Sequence, residues 1–289
     1  MIPANLIINA DDFGLDPRIS GAIFRCAEEG LINSFSVMPF ADPFHDDLLK
    51  TLVSRHPNIR VGAHLSLLGP APSESDRHGS PVGTGLQEHP NHFRDFLVRY
   101  ITGRYPADRI HAEWEAQIRF LGKYLGGPEK LAHLDSHQHI HVLPGIWPVA
   151  RSLQVQFKIP RLRVPYESLR RALSIKFPFG LGLQFLARMR WTEDDARLLG
   201  FATSTRFTLE ANQAGLRQVL AHPDRKFELM VHPAEVAASG SGSGSATTSP
   251  GSGASASHPD SNLHGYSLDA AQFQEVAELR RLRDFFGTA

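Results

Sequence analysis

Asp11 and Asp12 stand side by side where a short apolar run, residues 6–10, gives way to Phe13-Gly14. Two neighbouring carboxylates at a buried strand end cannot both stay ionised cheaply unless a cation or a proton lies between them. One then suits a metal ion and the other suits proton transfer. The structural alternative is a loop entry in which one Asp caps the next helix. A denser set follows in His133-Leu-Asp135-Ser-His137-Gln-His139-Ile-His141. Alternate side chains of an extended segment share a face, so the spacing predicts that the four His and Asp135 point one way. Leu134, Ile140 and Val142 point the other. Neutral imidazoles are good ligands for a divalent cation, and a carboxylate alongside can hold the second ring nitrogen. One or two of the four are expected to bind one. His64 lies near the end of the run 59–67, and His232-Pro233 follows the run 227–231. Either alone reads as a core histidine, but a parallel sheet would gather both beside Asp11-Asp12 and His137.

A cation held by one Asp and two His, with positions left open, suits metal-assisted hydrolysis. The metal polarises a carbonyl and acidifies a bound water. A nearby carboxylate takes the water proton, and a His supplies one to the leaving group. Other chemistries lack their motifs. There is no G-x-S-x-G elbow, no P-loop lysine motif and no G-x-G-x-x-G, since Gly180-Leu-Gly182 does not extend to one.

These residues need a scaffold. The chain has 289 residues, 42% hydrophobic and 21% charged, enough to bury a large core and too apolar for a disordered chain. Thirty basic residues balance thirty acidic ones, which gives no field to attract nucleic acid. Cys26 is the only cysteine, which excludes a disulfide framework and a Cys-based zinc site. It sits among Ile19, Ile23 and Ala27 and is expected to be a small core residue. The opening MIPANLIINADDFG has no basic n-region and no apolar h-region, and no stretch reaches the length of a membrane span. A cytoplasmic location is therefore the expectation.

Strands and helices alternate. Strands are expected at 6–10, 34–40, 59–67, 131–142, 158–164 and 227–232, and helices at 17–29, 43–55 and 106–125. In the last of these Ile110, Trp114, Ile118, Leu121 and Leu125 form one stripe, and Gly126-Gly127-Pro128 stops it. The Pro-, Gly-, Ser- and His-rich stretch 70–92 reads as a loop near the site. Residues 236–259 carry no charged side chain and have linker composition. A helix follows at 267–286, with Ser267 as N-cap and Leu268, Val276, Leu279, Leu282 and Phe286 on one face. That face must dock, so 236–259 is expected to be an insertion loop within one domain spanning 1–289. The class is α/β with a parallel sheet or barrel.

Four segments give the chain a resemblance to the YdjC-like (ChbG-type) carbohydrate deacetylases: Asn9-Ala-Asp11-Asp12-Phe13-Gly14, Gly62-Ala-His64-Leu65, His133 to His141, and Met230-Val-His232-Pro233. They occur in the family's order. The resemblance implies a distorted (β/α) barrel related to NodB-type deacetylases. It also implies removal of an N-acetyl group from an amino-sugar carbohydrate, with one divalent metal ion, magnesium or zinc. By position, Asp12, His64 and His137 match the metal ligands, Asp11 the catalytic base and His232 the acid. Arg163, in Arg161-Leu-Arg163-Val-Pro165, is a candidate for substrate binding, with a structural ion pair as the alternative, and His139 is a further candidate for substrate binding. The stretches 236–259 and 70–92 depart from the family pattern, which leaves the particular sugar open.

The segment 172–191 is apolar and aromatic with basic flanks. It suits peripheral contact with a membrane or the lipid part of a sugar-lipid substrate, as in relatives acting on lipid-linked sugars. The alternative is a lid or a homodimer contact. Two other functions fit the same residues. One is a phosphoesterase or other amidohydrolase, which would hold two metal ions. The other is a non-catalytic sugar- or lipid-binding module with a relict site.

Overall fold

The computed structural model describes all residues except 40–42, 68–92, 168–177, 204–205, 236–270 and 288–289. Six strands, β1 (Leu6–Phe13), β2 (Ser34–Val37), β3 (Arg60–Leu65), β4 (His133–Ser136), β5 (Arg197–Leu199) and β6 (Phe227–Val231), form one sheet in the order β4-β3-β2-β1-β6-β5. Every pairing is parallel. The helices are α1 (Pro17–Glu28), α2 (Pro43–Arg55), α3 (Phe93–Ile101), α4 (Ala107–Leu125), α5 (Trp147–Gln156), α6 (Pro178–Arg190), α7 (Leu209–Ala221) and α8 (Gln272–Gly287).

The sheet curls until one segment serves both of its edges. Leu134 of β4 donates to the Arg161 carbonyl and accepts from the Arg163 N–H, while Leu198 of β5 donates to the Tyr166 carbonyl. The chain from 161 to 166 thus bridges β4 and β5 by backbone bonds and completes a distorted (β/α) barrel. The strand expected at 158–164 is this bridge, reduced to a single β-pairing of Leu134 with Leu162.

The period of two sets the contents of each layer. Leu6, Ile8 and Ala10 of β1 face outward and are at most 1% exposed beneath the helices. Asn9 and Asp11 face inward, where they meet Ser34, Ser36, His64, Asp135 and Glu228 from the other strands. The barrel interior is therefore polar, and the hydrophobic core lies between strands and helices. Cys26, with Ile19, Ala22 and Ile23 on α1, is part of that core. Burial, with Glu29 and Glu235 nearby, pushes its thiol up to about 12. On α4 the stripe Ile110, Trp114, Ile118 and Leu121 is at most 1% exposed.

The stretch 236–259, the loop 70–92 and Ser267 lie outside the described residues. The C-terminal helix is described from Gln272, and its Val276, Leu279, Leu282 and Phe286 are buried as the periodicity requires. Of the segment 172–191, the described part is mostly α6, where Leu181, Phe185 and Met189 are exposed at i, i+4 and i+8. Among the described residues no helix is long and apolar enough to cross a membrane.

Candidate metal centre

Consecutive strand residues should face opposite sides, yet Asp11 and Asp12 both enter the site. The β1–β2 register shifts between Ala10 and Phe13, and Asp12 adopts φ 71. A bulge with one left-handed residue re-aims the side chain, and such strained positions cluster at functional sites. The Asp12 Oδ1 then lies 3.2 Å from the His64 Nε2 and 2.9 Å from the His137 Nδ1. One carboxylate oxygen and the two ring nitrogens all lie within 4.8 Å of one another. The three expected ligands are brought together.

His64 is oriented from behind. Its Nδ1 is 2.8 Å from Asp135 Oδ1, which leaves Nε2 directed at Asp12. A carboxylate that fixes the tautomer of a metal-facing histidine is the usual supporting arrangement. Burial opposes a charge on His64, but Asp135, Asp12 and Asp11 outweigh it and lift the ring to about 10. The carboxylates that draw a proton to this nitrogen would equally draw a cation. Burial likewise opposes ionisation of Asp12, yet His137 and His64 hold its carboxyl well below the usual range.

Beneath this cluster lies a second network. Asp11, 1% exposed, accepts at Oδ1 from Asn9 Nδ2 (2.6 Å), Ser36 Oγ (2.9 Å) and Arg163 Nη2 (2.9 Å), and at Oδ2 from Arg163 Nη1 (2.7 Å). The Arg163 Nη1 also lies 2.6 Å from Asp135 Oδ2, and its Nε donates to Glu228 Oε1 at 2.7 Å. Arg161 pairs with the other Glu228 oxygen. Burial disfavours all of these charges, but Arg163 holds Asp11 and Asp135 ionised, and they in turn keep Arg163 cationic. Four buried carboxylates, Asp11, Asp12, Asp135 and Glu228, thus share two guanidiniums and the His64 ring, so negative charge is in excess in this interior. The nitrogen–oxygen donor set around Asp12 fits a divalent cation.

Two expectations are resolved. Of the two readings of Arg163, substrate contact and structural ion pair, the structure shows the ion pair: it is 1% exposed and its fork is engaged by three carboxylates. The expected common face of His133, Asp135, His137, His139 and His141 is also lost, because the strand stops at Ser136. The Ser136 Oγ accepts from the His141 N–H (2.9 Å) and bonds its Nδ1 (2.6 Å), and Gln138 and His139 turn left-handed with φ 56 and 54. The histidines therefore splay. His137 reaches Asp12, and His139 lies against Phe201. His141 joins Ser136 and the Arg163 carbonyl (2.9 Å). His133 is fully buried, over Gly62, where a Cβ would fall 2.2 Å from its ring.

His141 makes the fold acid-sensitive. Burial, against the bond to the Arg163 carbonyl, pushes the ring down to about 4, while the unfolded chain protonates near 6.5. Its contribution is complete above 6.5 and is lost as pH falls towards 4, at roughly 3 kcal/mol. The melting temperature is expected to drop across that window, and His141→Asn to flatten the drop. An unaltered acid limb in the variant would assign the sensitivity elsewhere.

His232, expected as an acid, stands past the end of β6 with its Nε2 4.0 Å from Asp11 Oδ2. Sequence reasoning missed what holds it. Glu275 of α8, 0% exposed, accepts from the His232 N–H (2.6 Å) and the Phe207 N–H (2.9 Å). The signal was present, because Gln272 and Glu275 occupy the buried stripe of an otherwise apolar helix face. Glu228 was readable in the same way, as a lone charge inside Phe227–Val231.

A family model described as YdjC-like protein matches residues 5–282. The carbohydrate deacetylase of Brevibacillus brevis is 30% identical over 161 residues, covering 56% of this chain and 59% of that protein. A carbohydrate deacetylase of Vibrio parahaemolyticus is 30% identical over 162 residues, 54% of this chain and 57% of that one. The chain thus spans under two thirds of the length of these curated relatives. The chitooligosaccharide deacetylase of Yersinia pestis is 26% identical over 238 residues, 79% of this chain and 81% of that one. The crystal structure of an Enterococcus faecalis V583 protein shares the fold with a TM-score of 0.54 at 23% identity, covering 80% of this chain and 81% of that one. With the four motif segments inside a match that runs almost end to end, the chain belongs to the YdjC-like protein family.

Proposed function

We propose that the site hydrolyses the N-acetyl amide of an amino-sugar carbohydrate with the help of one divalent cation. The observation that carries this is the meeting of Asp12, His64 and His137 at one carboxylate oxygen, with Asp11 and His232 side by side next to it. The names of the curated relatives support the substrate class. Two imidazoles and a carboxylate suit zinc better than magnesium, which prefers oxygen donors. The other acid–imidazole group, Asp11, His64 and Asp135, has the Arg163 guanidinium between its carboxylates, which favours one cation over the two of a phosphoesterase.

The cation, when bound, would polarise the scissile carbonyl and acidify the attacking water. The protein's own residues do the rest. Asp11 Oδ1 is saturated by three donors, whereas Oδ2 has a single one from Arg163 and faces His232, so Oδ2 takes the proton of the attacking water. Arg163 fixes the plane of that carboxylate from the barrel interior. His232 gives a proton to the departing sugar nitrogen. Acetate and a primary amine are the products, and the balance closes with one water consumed.

Zinc-loaded protein is expected to release acetate and amine in equal amounts from chito-oligosaccharides. A chelator should stop the release, and micromolar zinc should restore it. No acetate from a panel of chito-oligosaccharides and N-acetylated glycolipids, with the metal bound, would contradict the assignment.

A further inference from the structure

His232 is directed by its backbone rather than by a partner of its ring. Its Nδ1 is shielded from solvent and has no hydrogen-bond partner among the described residues, while its Nε2 stands 4.0 Å from Asp11 Oδ2. A working imidazole is usually steered through its second ring nitrogen, as Asp135 steers His64. For His232 the main chain takes that part, and both of its polar groups go to α8. Glu275 Oε2 accepts from the His232 N–H at 2.6 Å, and Gln272 Nε2 donates to the His232 carbonyl at 3.2 Å. The Ala234 N–H donates to the Gln272 carbonyl at 3.1 Å. Between them Pro233 confines His232 to extended backbone angles.

The two α8 residues are placed for this. Gln272 and Glu275 share a helix face with Val276, Leu279 and Leu282 and are 1% and 0% exposed. Docking that face needs only apolar side chains, and a buried carboxylate is costly unless hydrogen bonds satisfy it. Glu275 is satisfied by the His232 N–H and, at Oε1, by the Phe207 N–H at 2.9 Å. It therefore ties the end of β6 to the segment that enters α7. Further along α8, Glu278 accepts from the Leu209 N–H at 2.8 Å and fixes the helix to that same segment.

We propose that Glu275 and Gln272 are positioning residues that aim the His232 ring at the leaving group, so that the C-terminal helix serves the proton-transfer step as well as the core. The proposal rests on the deacetylase assignment above. When the amide C–N bond breaks, its electron pair stays with the sugar nitrogen, which takes the proton of His232 Nε2. An amine nitrogen leaves poorly without that proton, so a misdirected ring slows this step. A phenolate leaves from an acetate ester without one, so the same error costs ester cleavage little.

The test compares the two leaving groups on zinc-loaded enzyme. With triacetylchitotriose, Glu275→Gln, whose amide keeps one acceptor oxygen for two N–H groups, is expected to lower kcat about 10- to 100-fold with KM within about twofold, and Gln272→Leu to act in the same direction. With 4-nitrophenyl acetate both variants should stay within about twofold of wild type. In His232→Asn protein, adding Glu275→Gln should cost less than about twofold on the amide, because the group it aims is gone. NMR relaxation of isotope-labelled histidine rings gives a readout free of turnover. The His232 ring should gain mobility in Glu275→Gln while the His64 and His137 rings keep their order. Equal losses on amide and ester, an undiminished effect of Glu275→Gln in His232→Asn protein, or an unchanged His232 ring would overturn the clamp. Wild type that releases no acetate from the amide would instead overturn the deacetylase assignment, and ring relaxation would still decide the clamp.

Discussion

Asp11→Asn is expected to lower kcat by a factor of about 10² to 10⁴ while leaving the metal content unchanged. The substitution keeps the shape of the side chain and removes its charge. An uncharged amide cannot take a proton from water near neutral pH, so the step assigned to Oδ2 fails. Metal loading is untouched because the cation is assigned to Asp12, His64 and His137, and Asp11 is occupied by Arg163, Asn9 and Ser36. Acetate release and elemental analysis on one preparation separate the two roles. Turnover within tenfold of wild type would remove Asp11 as the base. Joint loss of metal and turnover would make it a ligand.

Arg163→Leu is expected to have the largest effect on stability. The guanidinium is the cation shared by Asp11, Asp135 and Glu228, all at most 1% exposed. Removing one partner of a buried ion pair costs about 3–5 kcal/mol, because the remaining charge has neither water nor partner. Asp11 would keep only the neutral donors Asn9 and Ser36, whereas Glu228 keeps Arg161 and Asp135 keeps His64, so the cost is expected within that range. For a chain of this size it corresponds to a fall in melting temperature of roughly 10 °C or more. Arg163→Lys restores one charge but not the fork and should fall between the two. The pH dependence has a definite sign. Without Arg163, burial raises the carboxyl groups above their unfolded values, so the variant is least handicapped at low pH and loses stability as pH rises. A melting temperature within a degree or two of wild type at neutral pH would show that the interior network is not what holds the barrel.

Sequence and structure agree most closely where one residue reports on one strand end. Asp12, His64, His137 and His232 could be found because each follows or ends an apolar run, and a parallel barrel collects such ends. The stripe on α4 and the face of α8 were legible from their 3.6-residue period. The splaying of the histidines was not, because it depends on Ser136 capturing His141 and on left-handed turns at Gln138 and His139. Alternation alone predicts a longer strand there. Arg163 stayed open between a substrate contact and a structural ion pair for a similar reason. A lone Arg in an apolar run signals a buried partner, but only the closing of the barrel by residues 161–166 shows that the partners are Asp11, Asp135 and Glu228. The three-residue strand β5 and helix α7 carry patterns too short or too mixed to stand out.

The central claim is the place of the cation, and anomalous diffraction at the zinc edge tests it most directly. Crystals grown with zinc should show one strong peak within about 2.0–2.2 Å of an Asp12 oxygen, the His64 Nε2 and a His137 ring nitrogen. A peak elsewhere in the barrel, two peaks of equal weight, or zinc-loaded crystals with none at these three side chains would contradict it.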